Sequence, residues 1–387
     1  MIRLVTVIGA RPQFIKAAAL SRAFAKAHST TVREVIVHTG QHYDENMSSV
    51  FFDEMGIPRP DYMLEAGSGL HGKQTALMTD KIEEVLLKEK PDGVILYGDT
   101  NSTLAGALAA SKLYLPIAHV EAGLRSFNKR MPEEINRILC DHVSTFLFCP
   151  TETGVQNLAR EGFRLDATAP HNMDNPKVYH CGDVMFDNTL HFAEMAKANT
   201  QHLARHGLTP GGFLLVTIHR NTNTDDPLRL EGLLSALLRI ADHADADLVF
   251  PVHPRTRGAI ERNLSPALRE RFANHPRLKL IPPASFLEMT ALEAQCSMVI
   301  TDSGGVQKEA YFLQKPCIVL RPETEWVELL DSGSCLLADA DPERIWNAYL
   351  RLSKAQALQF PPLFGDGHAA EFIVDELVRQ LGQAQQS

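Results

Sequence analysis

Short, nearly uninterrupted apolar runs that stop at a small or polar residue are what most limits the fold open to this chain. Residues 3–9 (RLVTVIG), 33–39 (REVIVHT), 92–98 (DGVILYG) and 116–120 are such runs, and helix-like stretches lie between them at 12–27, 74–89 and 102–113. A strand without polar alternation is buried on both faces, the condition of a parallel sheet covered by crossover helices. Pro12 suits the first turn of its helix. Beyond residue 180 the pattern restarts, with strands expected at 213–218, 247–252, 278–281, 297–301 and 316–320 and helices at 227–243 and 257–273. Two α/β units in tandem follow. The polar, Pro-bearing stretch at 165–180 is the expected boundary. The tail from 367 is amphipathic, with Ala370, Phe372, Ile373, Leu377, Val378 and Leu381 on one face, and can cover either unit.

Composition narrows the function classes. A length of 387 residues suits two or three domains. The net charge of -9 supplies no basic footprint, so no nucleic-acid partner is expected. The 44% apolar content excludes disorder, and no apolar run approaches the ~20 residues that span a bilayer. Residues 1–9 read as a first strand rather than a signal peptide, and a cytoplasmic protein is expected. The cysteines at 140, 149, 181, 296, 317 and 335 form no CxxC pair and have mostly apolar neighbours. Buried thiols, not disulfides or zinc, are the expectation.

In an open parallel sheet, ligands bind beyond the C-terminal strand ends, where this chain places its polar residues. Arg11 and Lys16 follow the first strand, without the GxGxxG of a dinucleotide site. Asp99 and Glu121 end two consecutive strands; Asp99 also suits a helix cap, and Glu121 an ordinary surface position. If the two lie close, their pKa values separate, supplying an acid and a base. Glu133 and Glu134 follow Pro132, where an acid also simply favours a helix start. In the second unit, His219 and Arg220 end one strand, and Ser303-Gly304-Gly305 precede a helix, with backbone N–H groups suited to phosphate. Glu309 lies in that helix and suits ribose hydroxyls. His42, His71, His119 and His253 are secondary candidates. With no HExxH, GxSxG or compact His/Asp cluster, neither a metal site nor an acyl-enzyme is expected.

Taken together, GARPQFIKAA (9–18), TGQH (39–42), GDTNSTLAGALAA (98–110), HVEAGLR (119–125), PEEINR (132–137), TIHR (217–220), TDSGGVQKEA (301–310) and GDGHAA (365–370) resemble the non-hydrolysing UDP-N-acetylglucosamine 2-epimerases over essentially the whole chain. The resemblance implies two Rossmann-like domains around a central cleft, as in GT-B glycosyltransferases. Residues 1–172 would form the N-terminal domain, with the helix at 367–387 packing back on it, and 173–366 the C-terminal UDP-binding domain. It implies a cytoplasmic homodimer that uses no cofactor. It places Arg11, His219 and Ser303 at the diphosphate and Glu309 at the ribose, and assigns catalysis to Lys16, Asp99, Glu121, Glu133 and His219.

Three departures from the family pattern bear on substrate. His219-Arg220-Asn221-Thr222-Asn223 lacks the acid of HRxEN, Gln307-Lys308-Glu309 replaces QEE, and the stretch between Arg125 and Pro132 is short. That short stretch, with GARPQFIKAA (9–18) and TEWVEL (324–329), resembles the subgroup acting on UDP-2,3-diacetamido-2,3-dideoxyglucuronic acid. Arg125, Lys129 and Arg130 are the expected partners of the sugar carboxylate; a solvated basic loop is the alternative. The implied chemistry is anti elimination of UDP and re-addition through a glycal, in synthesis of a surface polysaccharide precursor such as O-antigen. Alternatives are UDP-N-acetylglucosamine as substrate, a hydrolysing epimerase, a GT-B glycosyltransferase and a nucleotide-sugar sensor. Gln41 and His42 match part of a second UDP-sugar site in some relatives. The helix at 74–88 lacks the Arg of that site, so hyperbolic kinetics are expected.

Overall fold

The computed structural model describes residues 1–41, 58–198, 201–324 and 326–384. His42 lies outside them. The chain forms two compact units, Met1–Asn188 with Pro362–Ser387, and Thr189–Pro361.

The first unit holds β1 (Ile2–Ile8), α1 (Arg11–Ala27), β2 (Val32–His38), β3 (Tyr62–Met63), α2 (His71–Glu89), β4 (Gly93–Tyr97), α3 (Asn101–Lys112), β5 (Ile117–Val120), α4 (Pro132–His142), β6 (Phe146–Cys149), α5 (Glu152–Arg160) and β7 (Lys177–His180). Among the described residues these strands form one seven-stranded sheet, ordered β3-β2-β1-β4-β5-β6-β7, with every pairing parallel. All five residues of β4 and all four of β5 are buried, as runs without polar alternation require. The division of the chain differs from the expected one at 172/173. β7 pairs with β6, Phe146 opposite Lys177, so the polar stretch at 165–176 is a crossover inside the first unit.

α6 (Val184–Ala198) begins in the first unit, and α16 (Ala369–Ala384) returns to it. α16 lies on α1, with Lys26 paired to Glu371 at 2.7 Å and His28 to Asp375 at 2.7 Å. Its buried stripe is Ala369, Ala370, Ile373, Val374, Leu377 and Leu381; Phe372, expected on that face, is exposed.

The second unit runs through α7 (Gln201–Ala204), β8 (Phe213–Thr217), α8 (Asn221–Thr224), α9 (Pro227–His243), β9 (Asp247–Pro251), α10 (Pro254–Asn263), α11 (Pro266–Asn274), β10 (Leu278–Ile281), α12 (Phe286–Gln295), β11 (Met298–Thr301), α13 (Gly304–Phe312), β12 (Cys317–Val319), α14 (Val327–Asp331), β13 (Cys335–Leu337) and α15 (Pro342–Ser353). Its sheet is parallel, in the order β10-β9-β8-β11-β12-β13. The single helix expected at 257–273 is two. Ser265 accepts from the Leu268 N–H at 3.3 Å and Pro266 opens a new first turn, so the helix restarts there. Both sheets have the doubly wound order, in which the crossovers reverse between the first and fourth strands of the unit and open a crevice at their C-terminal ends.

The cysteines are free thiols, and all but Cys181 are buried. No helix among the described residues is long and apolar enough to cross a membrane.

His38, at the end of β2, is buried against the Phe14 ring at 4.9 Å, and among the described residues neither of its ring nitrogens has a hydrogen-bond partner. Burial pulls its pKa down from 6.5 to about 4. The folded state therefore favours the neutral ring. The contribution is present above the unfolded value of 6.5 and is lost as pH falls towards 4. Between pH 7 and pH 5 this amounts to about 2 kcal/mol. Urea denaturation at both pH values should show a smaller acid loss in His38→Leu than in the unsubstituted protein; equal losses would clear His38.

Candidate active site

In the first unit the crevice lies between the ends of β1 and β4, and the neighbouring β5 end adjoins it. Gly98 leaves β4 at φ +61°, and Glu121 leaves β5 at φ +76°, a conformation that costs a non-glycine residue about 1–3 kcal/mol. That turn aims the Glu121 carboxylate at the Lys16 ammonium from α1, and the two form a largely buried ion pair. Burial opposes the Lys16 charge, but Glu121 outweighs it, with help from Asp99 and Asp183, and raises the Lys16 pKa. A Cβ on Gly98 would stand 3.1 Å from the Glu121 carboxylate and 3.3 Å from Lys16 Nζ, so the glycine also makes room for the pair.

Asp99 does not cap α3; Thr100 does, accepting from the Thr103 N–H at 3.3 Å. The Asp99 carboxylate instead meets Arg137 of α4, and its carbonyl accepts from Asn136 at 2.9 Å. Glu133 is exposed in the first turn of α4. Its neighbour Glu134 is buried, and both its oxygens accept loop amides, from Ser126 and Phe127, each at 2.9 Å. Arg125, expected beside the sugar, is spent inside the protein. It pairs with Asp141 and with Glu161, each at 2.7 Å, and its side chain is 1% exposed. The reason is local: Asp141 is fully buried and needs the cation. Lys129 and Arg130 are exposed, as is Arg11 at the first position of α1. Gln41 turns its amide oxygen to the N–H and hydroxyl of Ser102, at 2.9 and 2.7 Å. His71 meets Asn101 at 3.0 Å.

In the second unit the crevice lies between β8 and β11. Fully buried Asp302 accepts from the backbone N–H of His219 and Arg220 at 3.1 and 3.0 Å, and from Asn223 at 3.1 Å. The exposed His219 ring stands 3.5 Å from the same carboxylate. Asn223 also donates to the Leu320 carbonyl at 3.0 Å. The position that lacks the family's acid, Thr222, is exposed. Ser303 precedes α13 without capping it by its side chain. Among the described residues, a Cβ added to Gly305 would meet only the Ser303 hydroxyl, at 4.0 Å, and the first-turn N–H groups of a helix have no partner within it. Burial raises the pKa of Glu309, and Lys308 opposes it. Buried Lys308 lies 4.1 Å from the Trp326 ring centroid. The Lys of the Gln307-Lys308-Glu309 departure and the Trp of TEWVEL thus form one cation–π contact. His253 is exposed and caps α10.

Sequence reasoning gave no role to Arg137, Asn136, Asp141, Asp302 and Asn223, and named Glu134 only beside Glu133. Most lie inside the motifs already singled out, and their positions beside Asp99, Glu121 and His219 were the available signal. Asp141 had none, because it acts from the far end of α4. Among the described residues no group of three His, Cys, Asp or Glu could hold a metal.

A family model described as UDP-N-acetylglucosamine 2-epimerase matches residues 25–378. A UDP-2,3-diacetamido-2,3-dideoxy-D-glucuronate 2-epimerase of Pseudomonas aeruginosa is 49% identical over 379 residues, covering 97% of this chain and 99% of that protein. A UDP-N-acetylglucosamine 2-epimerase of Methanocaldococcus jannaschii is 41% identical, covering 96% and 98%. The solved structure of UDP-GlcNAc 2-epimerase from the same organism superposes with a TM-score of 0.84 at 39% identity, over 98% of this chain and 100% of that one. The chain belongs to the UDP-N-acetylglucosamine 2-epimerase family and is an isomerase acting on UDP-sugars.

Proposed function

We propose that the substrate is UDP-2,3-diacetamido-2,3-dideoxy-D-glucuronic acid and the product its C2 manno epimer. The carrying observation is the 49% identity, over nearly the full length of both chains, to the Pseudomonas aeruginosa enzyme named for that substrate. Lys129 and Arg130, exposed beside α4, supply the cationic partners that the uronate carboxylate needs. Relatives named for UDP-N-acetylglucosamine, one named as a homolog at 46% identity and two more at 41% and 40%, make that sugar the second reading.

C2 of a 2-acetamido sugar is not beside a ring carbonyl, so its proton is poorly acidic. Breaking the C1–O bond first sends that electron pair to UDP and leaves an oxocarbenium-like centre, which acidifies the C2 proton. A base takes the proton and a glycal remains. Addition of UDP to C1, with a proton delivered to the other face of C2, completes the inversion. Arg11, His219 and the first turn of α13, including Ser303, Gly304 and Gly305, meet the diphosphate charge, and Glu309 meets the ribose. Lys16, Asp99, Glu121 and Glu133 serve proton transfer. No redox step occurs, and no cofactor is required. The product would feed a surface polysaccharide such as O-antigen.

Parallel turnover of the two UDP-sugars tests the substrate reading. The uronic acid should have the higher kcat/KM, and Lys129→Ala or Arg130→Ala should erode that preference while UDP affinity holds. Equal or better turnover of UDP-N-acetylglucosamine would restore the second reading. In D2O each turnover should place one deuterium at C2; product without it would sink the elimination route.

The protein works as a homodimer. Supporting this, Met131, Ile135 and Leu139 on α4 and just before it are exposed, beside a cavity of 860 Å³ on the first unit whose mixed lining includes Leu104, Leu108 and Ile135 with Asp80, Glu83 and Arg130. Light scattering should give twice the chain mass, and Ile135→Glu should shift it towards the monomer. A monomeric unsubstituted protein would remove this part of the reading.

A further inference from the structure

We propose that His119 is a positioning residue for the epimerisation: a buried imidazolium that holds the two strand-end turns from which Asp99 and Glu121 project. The proposal rests on the reading of those carboxylates as acid–base groups.

His119 is the third residue of β5 and is fully buried. Its Nδ1 lies 2.6 Å from Asp141 Oδ1 and its Nε2 2.7 Å from the carbonyl oxygen of Gly98. A carbonyl can only accept. Asp141 is likewise held as an acceptor, because its other oxygen takes the Gly123 N–H at 3.1 Å and the Arg125 guanidinium at 2.7 Å. A neutral imidazole carries a single N–H and satisfies one of the two partners; the imidazolium satisfies both. Charges balance in the cluster, with His119 and Arg125 against Asp141 and Glu161.

The ring is thereby tied to both turns. One bond fixes Gly98, whose α-carbon abuts the Lys16–Glu121 pair and whose next residue is Asp99. The other runs through Asp141 to Gly123, two residues beyond Glu121. Cys140 and Asp141 on α4 face the ring; Arg125, beyond β5, and Cys149 on β6 interact with Asp141 rather than with the ring, and at the rim Lys16 interacts with Glu121 and Asp99. Burial opposes the ring's charge, but Cys140 and Asp141 outweigh it and hold the pKa well above the ordinary imidazole value. Asp141, despite its burial, is held low by His119 and Arg125.

Two measurements test this. Nitrogen NMR of the full-length protein labelled in histidine should show, at pH 8.5, one residue with both ring nitrogens protonated, absent from His119→Gln. A neutral His119 at that pH would overturn the proposal whether or not the sugar chemistry is as read. The second is the kinetics of His119→Leu, which removes both bonds. Its kcat should fall about 10²-fold, the scale of a small misplacement of reacting groups, with UDP affinity unchanged. Asp141→Asn is the control: its amide can donate to Nδ1 while a neutral ring keeps its Nε2–H on the Gly98 carbonyl, so its kcat should fall far less. A His119→Leu variant with the parent's kcat would also overturn the proposal. If His119→Leu does not fold, the NMR of the unsubstituted protein decides. Failure of that unsubstituted protein to epimerise any UDP-sugar would instead refute the functional reading.

Discussion

Glu121→Gln is expected to lower kcat by about 10²–10⁴-fold while UDP binding changes little. The amide keeps the shape of the carboxylate but cannot exchange a proton at C2. It also leaves the Lys16 ammonium, whose side chain is only 12% exposed, without its counter-charge. Removing one member of a buried pair costs about 3 kcal/mol, so the variant should be less stable as well as slower. Lys16→Met combined with Glu121→Gln separates the two effects, recovering stability and leaving turnover low. Saturating kinetics, calorimetric UDP titration and urea denaturation give the three readings. Near-normal turnover in Glu121→Gln would remove this carboxylate from the chemistry.

Gly123→Ala should be strongly destabilising. Gly123 has φ +76°, and an added Cβ would stand 2.3 Å from the Gly154 carbonyl oxygen and 2.8 Å from its carbon. Backbone cannot swing aside as a side chain can. Left-handed strain and overpacking together should cost about 3 kcal/mol or more. Gly162→Ala is the control: φ is +96°, but nothing lies within 4 Å of the added carbon, so the cost should be strain alone, about 1 kcal/mol. Equal losses in the two variants would mean that the contact with Gly154 is not what demands a glycine.

The fold was legible where burial on both faces suppresses polar alternation, as in β1, β4 and β8. It was less legible at β7, whose four residues KVYH are only half buried and carry little apolar signal, and whose neighbouring polar crossover read as a domain boundary. The strand-end position of Asp99 and Glu121 was readable because a parallel sheet gathers its strand ends on one side. What each polar group does there was not. Glu133 and Glu134 are adjacent and chemically alike, yet one is exposed and the other holds a loop, a difference set by helix phase. Arg125 looked like a ligand group because no local feature announced that Asp141, on α4, would claim it.

The second unit is inserted into the first: the chain leaves at Asn188 and re-enters at Pro362. During synthesis the seven strands of the first sheet emerge early, but the helix that covers α1 comes last. Until then the α1 surface matched to Ile373, Val374 and Leu377 stays uncovered, while the inserted segment already has all its strands. The order of maturation is therefore inverted with respect to the order of translation, and a released chain cut off after residue 361 holds the whole second unit and an unfinished first one.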